Sequence, residues 1–194
     1  MERSGCLEAF IRFFYNLIIL KKHFKLLKND FKINALGVKL FRIKATKKTK
    51  CTEIGDLGGY LETLENLSGD AWVYGNAWVY GNARVSGDAR VSGDAWVYGD
   101  ARVSGDARVS GDAWVYGDAR VSGNADLFWI SKIGSSNRTT TVFKCENNII
   151  KVKCGCFFGT LLEFENKVKE THKENKHAKE YLALIEIAKA KFNL

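Results

Sequence analysis

The chain has no proline among its 194 residues and only one methionine. The missing proline excludes collagen-like and proline-rich linker segments. With 18 glycines present instead, it points to many tight turns. No apolar run reaches the roughly 18 residues that a membrane-spanning helix needs. The mostly apolar stretch 10–20 is interrupted by Arg12 and Asn16. No small-residue cleavage site follows it and the lysines come after it, so it does not fit an export signal. The five cysteines, Cys6, Cys51, Cys145, Cys154 and Cys156, are odd in number and lack the spacing of a disulfide scaffold. They fit a reducing cytosol.

What is present suffices for a folded domain. The chain is 46% hydrophobic, which excludes wholesale disorder. Its net charge of +8 is uneven: residues 1–50 carry 13 Lys/Arg against 3 Asp/Glu, whereas residues 69–128 carry 5 Arg against 8 Asp.

From Gly69 to Phe128 the chain is a run of ten six-residue units: GDAWVY, GNAWVY, GNARVS, GDARVS, GDAWVY, GDARVS, GDARVS, GDAWVY, GDARVS, GNADLF. Valine is β-branched and apolar, which suits a buried strand position. Alanine two residues earlier shares its face by the period of two. Trp or Arg before Val, and Tyr or Ser after it, point outward. Gly followed by Asp or Asn makes a corner. Each unit is then one short strand and one turn, and only stacking buries its valine.

The repeat resembles the left-handed parallel β-helix of the hexapeptide-repeat proteins, in which three units make one triangular coil of 18 residues. The match covers residues 69–128, where Val73 is followed by Ala77 and Val79 by Ala83. The left hand comes from this resemblance, because general crossover rules favour the right hand. Leu61 and Leu67 are in phase with Val73 and extend the helix back to about Gly59.

An 18-residue coil stacks like on like, about 4.8 Å apart. One face then carries Trp78, Trp96 and Trp114 beside Tyr80, Tyr98 and Tyr116. A second carries Arg84, Arg102 and Arg120 with serines. The third mixes Trp72, Arg90, Arg108 and Asp126. The aromatic ladder reads first as a subunit interface of a homotrimer. A partner-binding surface, or cover by the chain's own termini, are the other readings. Stacked arginines repel unless compensated. Either Asp100 and Asp118 neutralise them, or they form a docking strip for an acidic protein or polyanion.

The flanks differ in kind. Residues 1–30 read as a basic amphipathic helix: Leu7, Phe10, Phe14, Leu17 and Ile18 form its stripe, followed by Lys21, Lys22, Lys25 and Lys28. This patch suits a membrane surface, nucleic acid, or packing on the body. Residues 38–45 read as a strand. After the repeat, 139–143 and 149–154 read as a capping β-hairpin. Thr160 and Glu163 form a capping box that opens the first of two helices. The expected organisation is residues 1–50 as basic helix and strand, 51–128 as β-helix, and 129–194 as hairpin and helical cap. The fold class is mainly β.

Three stretches outside the repeat, LFRIKA (40–45), GDLGGYLE (55–62) and CGCFFGTLLEFENKV (154–168), look like a family of phage- and prophage-borne hexapeptide-repeat proteins. Its members are often labelled putative acyltransferases, which implies acyl transfer from coenzyme A. Such enzymes generally use a histidine base in or beside the coils, yet the repeat contains no histidine. The family context implies a chain encoded by a phage and acting in the cytoplasm of a bacterial host. The favoured function is non-enzymatic binding of a host protein or ribonucleoprotein, concretely a counter-defence inhibitor of a nuclease or RNA-guided complex. A structural or scaffold component is a further alternative. No cofactor is expected. Cys145, Cys154, Cys156 and His172 are weak candidates for a zinc site, since three thiolates and one imidazole satisfy a tetrahedral ion.

Overall fold

A computed structural model describes residues 22–194. The repeat forms a β-solenoid of about three turns. Its strands β4 (Trp72–Val73), β5 (Trp78–Val79), β6 (Arg84–Val85), β7 (Arg90–Val91), β8 (Trp96–Val97), β9 (Arg102–Val103), β10 (Arg108–Val109), β11 (Trp114–Val115) and β12 (Arg120–Val121) are two residues each. They stack in parallel on three faces. Trp72, Arg90 and Arg108 share one register, Trp78, Trp96 and Trp114 another, and Arg84, Arg102 and Arg120 the third. The expected 18-residue spacing is therefore the spacing of the hydrogen-bonded partners. Backbone bonds such as Trp78 N to Ala95 O (2.9 Å) and Trp96 N to Ala113 O (2.9 Å) carry the ladder.

Inside the coil, each repeat valine from Val73 to Val121 and each alanine from Ala71 to Ala119 is at most 1% exposed. A buried valine contributes about 1.5–3 kcal/mol relative to an exposed one. The corners are tight. At Gly105, φ is +62° and an added Cβ would stand 2.1 Å from Ser122 O, so only glycine fits.

The solenoid is closed at both ends. Upstream, β1 (Phe24–Ile33), β2 (Lys39–Ala45) and β3 (Leu57–Leu61) form an antiparallel extension of the aromatic face, in the order β1-β2-β3-β5-β8-β11. Phe24, Ile43 and Ala45 lie in the same core as Trp72, which is fully buried. Leu61 pairs with Val79 and Leu67 with Val85, so both continue the valine columns.

Downstream, β13 (Leu127–Ile133), β14 (Arg138–Lys144), β15 (Ile150–Cys154) and β16 (Phe157–Thr160) form a four-stranded antiparallel meander. Helices α1 (Leu161–His172) and α2 (Lys176–Phe192) pack on it through Phe164, Val168, Tyr181 and Ile185. Thr160 and Glu163 cap α1 reciprocally: Thr160 N donates to Glu163 Oε2 (2.7 Å) and Glu163 N to Thr160 Oγ1 (3.2 Å). The meander is tied to the last coil where Trp114 N donates to Thr141 Oγ1 (3.0 Å).

Three expectations need correction. Residues 24–30, read as helix, lie in strand β1; residues 1–21, including Lys21, lie outside the described residues. A β-bulge between Leu27 and Phe31 breaks the alternation that would have marked the strand. The expected cap hairpin has four strands. The tenth unit, GNADLF, is no coil: Asp126 accepts from Ser122 N (2.8 Å) and Gly123 N (3.1 Å), closing a 3-10 turn that turns the chain into β13.

Candidate interaction surfaces on the solenoid

The aromatic face is a continuous stack. Trp78 and Trp96 lie 4.9 Å apart with planes 6° from parallel; Trp96 and Trp114 lie 5.0 Å apart at 3°. Beside them, Tyr80–Tyr98 and Tyr98–Tyr116 stack at 5.0 and 4.5 Å. Strand spacing alone imposes this, because in-register parallel strands hold identical rings one rung apart. The register adds a fourth rung, Tyr60 above Trp78, and Phe158 lies edge-on to Tyr116 at 4.9 Å.

Cations close both ends of the stack. The Arg42 guanidinium lies 4.5 Å and the Lys32 ammonium 4.6 Å from the Tyr60 ring centre, and Arg42 also bonds the Tyr60 hydroxyl. At the other end, Lys153 lies 5.7 Å from Trp114 and 5.8 Å from Tyr116. Burial lowers the Lys153 pKa. Burial also raises the Tyr80 and Tyr98 hydroxyls, with the neighbouring tyrosines adding to it. The ladder is less bare than its composition suggests. Stacking takes the ring faces out of water, and Val38 and Leu40 of the β1–β2 hairpin pack on the upstream rings: Tyr80 is buried and the three tryptophans are half-buried.

The arginine face is open. Arg84 and Arg102 are exposed and Arg120 is half-buried. The expected compensation by Asp100 and Asp118 side chains does not occur. The Asp100 carboxylate accepts from Asn82 (3.0 Å), and that of Asp118 accepts from Lys151 (2.8 Å). Arg120 instead bonds the Asp100 and Asp118 backbone carbonyls and pairs with Glu146 at 3.3 Å. Arg84 bonds Glu65 O at 3.2 Å. Among the described residues, no carboxylate lies within ion-pair reach of Arg84 or Arg102. On the third face Arg108 is exposed, Arg90 is half-buried beside Cys51, and His23 and Phe24 cover Trp72.

A groove of about 680 Å³ runs between the aromatic face and the cap, lined by Asp94, Trp96, Asp112, Trp114, Arg138 and Cys156. A second cleft of about 350 Å³ lies beyond Arg138 and Cys156, between the meander and the helices.

The four zinc candidates are not brought together. Cys154 sits where β15 pairs with Thr140, while Cys145 lies past the opposite end of β14, next to Asp118. Five residues of extended strand separate those levels by about 17 Å. Cys145 belongs to the solenoid core and its thiol pKa is pushed up to about 12 by burial, with Asp118 adding to it. Cys154 packs under the helices, 3.7 Å from the Tyr181 hydroxyl; Cys156 is exposed; His172 packs against Tyr181. Among the described residues, no group of three such side chains is placed to hold a metal ion.

The histidines are equally scattered. His23 contacts Ala71 O at 3.1 Å at the upstream end, where burial lowers its pKa, and His172 and His177 lie in the helical cap. Among the lysines of the basic patch, Lys22 donates to Leu67 O (2.7 Å), and Lys25 and Lys28 are exposed on β1.

No helix among the described residues is long and apolar enough to cross a membrane. No curated protein and no solved structure matches the chain. Residues 83–99 and 101–117 match the family described as YdcK Beta solenoid repeat. The two matched stretches begin 18 residues apart, at Ala83 and Ala101, the same step that separates hydrogen-bonded partners in the coil. The middle of this chain is therefore similar to the YdcK repeat and forms a β-solenoid.

Proposed function

We propose that the chain is a non-enzymatic macromolecular-binding protein whose recognition body is a left-handed hexapeptide solenoid. The arginine strip docks an acidic partner, and the aromatic ladder joins copies of the chain into a homotrimer. The observation that carries the reading is the pair Arg84 and Arg102, stacked in register and exposed without a carboxylate partner among the described residues. Stacked like charges cost stability, and a rigid cationic strip loses little entropy when an anionic surface meets it. The resemblance of residues 40–45, 55–62 and 154–168 to phage- and prophage-borne proteins supports a host-directed partner in a bacterial cytoplasm. An inhibitor of a nuclease or of an RNA-guided defence complex is the concrete form of that reading.

The test is capture of partners from bacterial lysate by the tagged full chain, with mass spectrometry and nucleic-acid absorbance on the eluate. One stoichiometric partner is expected, lost when Arg84, Arg102 and Arg120 are all changed to Glu. A partner still held by that variant sinks the strip. Capture of nothing, followed by turnover of an acyl-coenzyme A donor, would replace this reading with acyl transfer. Light scattering should report a trimer that Trp96→Glu dissociates; a trimer surviving that change would move the interface elsewhere.

A further inference from the structure

Upstream of the solenoid the exposed large apolar side chains fall in two places: Ile54 and Leu57, 71% and 57% exposed, at the start of β3, and a group of three at the β1–β2 tip. Phe31, Ile33 and Leu36 are 43%, 60% and 78% exposed, and all lie at the β1–β2 tip. The base of this hairpin closes the solenoid with Phe24 and Ile43; nearer the tip, Val38 and Leu40 pack on Tyr60, Tyr80 and Tyr98, while Phe31, Ile33 and Leu36 stay exposed. Phe31 pairs with Phe41 and Ile33 with Lys39, so these residues share a face.

The tip does not hang loosely. Asn34 Oδ1 accepts from Leu36 N and Val38 N, each at 2.9 Å. Asn34 N donates to Val38 O and Gly37 N to Asn34 O, each at 3.0 Å. Four hydrogen bonds thus hold the most exposed leucine of the group outward in water, where it gains nothing from folding.

The surroundings are cationic. Residues 22–50 carry ten Lys/Arg and one acid, Asp30, which Arg42 occupies at 2.9 Å. Lys39 lies 3.7 Å from the Phe31 ring centre and Lys28 4.2 Å from that of Phe41. Among the described residues, no carboxylate is within ion-pair reach of Lys25, Lys28, Lys39 or Lys44.

We propose that the β1–β2 tip is a docking surface for an anionic lipid bilayer, with Ile33 and Leu36 entering the interface and Lys28 and Lys39 meeting the headgroups. Exposed aliphatic side chains ringed by lysine match that boundary, which is apolar below and negative above. A nucleic acid matches only the lysines, because its bases stack on aromatic rings and offer no bed for leucine or isoleucine.

The test is co-sedimentation of the full chain with vesicles of phosphatidylcholine alone, or with about one-third phosphatidylserine. Binding is expected only to the anionic vesicles, and it should weaken as salt rises from about 0.1 to 0.5 M. The double variant Leu36→Asp/Ile33→Asp should bind about ten-fold more weakly or worse. Lys28→Gln and Lys39→Gln should each cost about five-fold. Both apolar sites are exposed, so the thermal midpoint should not move. Equal pelleting with neutral vesicles overturns the proposal. Unchanged pelleting of the double Asp variant also overturns it, because the lipid contact then lies elsewhere in the chain. So does tighter binding to an RNA oligonucleotide that the Asp changes leave intact.

Discussion

The solenoid and the C-terminal cap bury their apolar side chains in different ways. Every coil uses the same two residues, Val and Ala, and each rung is hydrogen-bonded to the rungs one coil above and below. The cap uses Val142, Ile150, Val152, Phe164, Tyr181 and Ile185, drawn from strands and helices that all meet one another. A self-similar middle spreads its stability evenly. Its weakest points are the two ends, where no next coil supplies a partner. Large aromatic residues stand there: Phe24 and Trp72 upstream, Phe143 downstream.

The sharpest way to break this comparison is at the joint. Phe143 is fully buried in the solenoid core, yet it belongs to cap strand β14 and lies 6.3 Å from Phe158. Phe143→Ala should cost about 3–5 kcal/mol in urea unfolding. It should loosen the last coil and the meander together in hydrogen exchange. If protection were lost in the cap alone, the two cores would be independent.

The next largest effect separates crowded corners from open ones. At Gly105 an added Cβ meets Ser122 O at 2.1 Å, while at Gly75 the nearest atom is 3.6 Å away and φ is nearly the same, +62° against +61°. Gly75→Ala should cost only the left-handed backbone penalty, about 1–2 kcal/mol. Gly105→Ala adds a backbone clash and should exceed about 3 kcal/mol. Equal midpoints in thermal unfolding would mean that the coils breathe enough to absorb the clash.

Val97→Ala in the middle coil should be milder, at about 2 kcal/mol for the lost methyl groups and the small cavity. Its neighbours are valines of identical coils, so exchange should accelerate locally and leave the cap protected. A loss as large as that of Phe143→Ala would contradict the view that the ends limit stability.

How much of this could be read beforehand also divides by region. The six-residue repeat makes the buried Val and Ala columns legible, and the three-unit coil implied by its resemblance to hexapeptide-repeat proteins supplies the 18-residue register and with it both outward ladders. The fourth aromatic rung was also within reach: Tyr60 stands 18 residues before Trp78 in a stretch already in phase. The hairpin was not. Phe24, Leu26, Leu27 and Phe31 fit both periods once a bulge resets the alternation. The end of the repeat misled for the opposite reason, since GNADLF satisfies the pattern. Leu127 and Phe128 are apolar stand-ins for Val and Tyr; the departure that counts is Asp126 in an arginine or tryptophan slot, and that carboxylate closes the turn that ends the solenoid. The cysteine and histidine constellation failed because spacing within one strand says nothing about which end of its neighbour it meets.

The smallest effect concerns the ion pair that crosses from one region to the other. Asp118 belongs to the corner before β12, and Lys151 to β15; they meet at 2.8 Å. Partial burial is the largest single effect on the Asp118 carboxyl and would raise it, but the bonds from Lys151, from its own backbone and from Cys145, with the Lys151 charge, together outweigh it, and the pKa lies below the ordinary value. The bond to Asp118 raises Lys151. A lowered carboxylate contributes stability above its unfolded pKa of about 4, and loses it as pH falls through the folded value. A raised lysine contributes below its unfolded pKa of about 10.4, and loses it as pH rises through the folded value. The pair therefore supports the joint across the neutral range and releases it at both extremes. The Asp118 side chain is 37% exposed, so solvent screening leaves it only about 0.5 kcal/mol. Asp118→Asn should lower the urea midpoint slightly at about pH 7 and make the acid decline below about pH 4 shallower. If the acid decline kept its full slope, the carboxylate responsible would be another, and Asp126, lowered by its bonds to Ser122 and Gly123 against a raising burial effect, is the next to change.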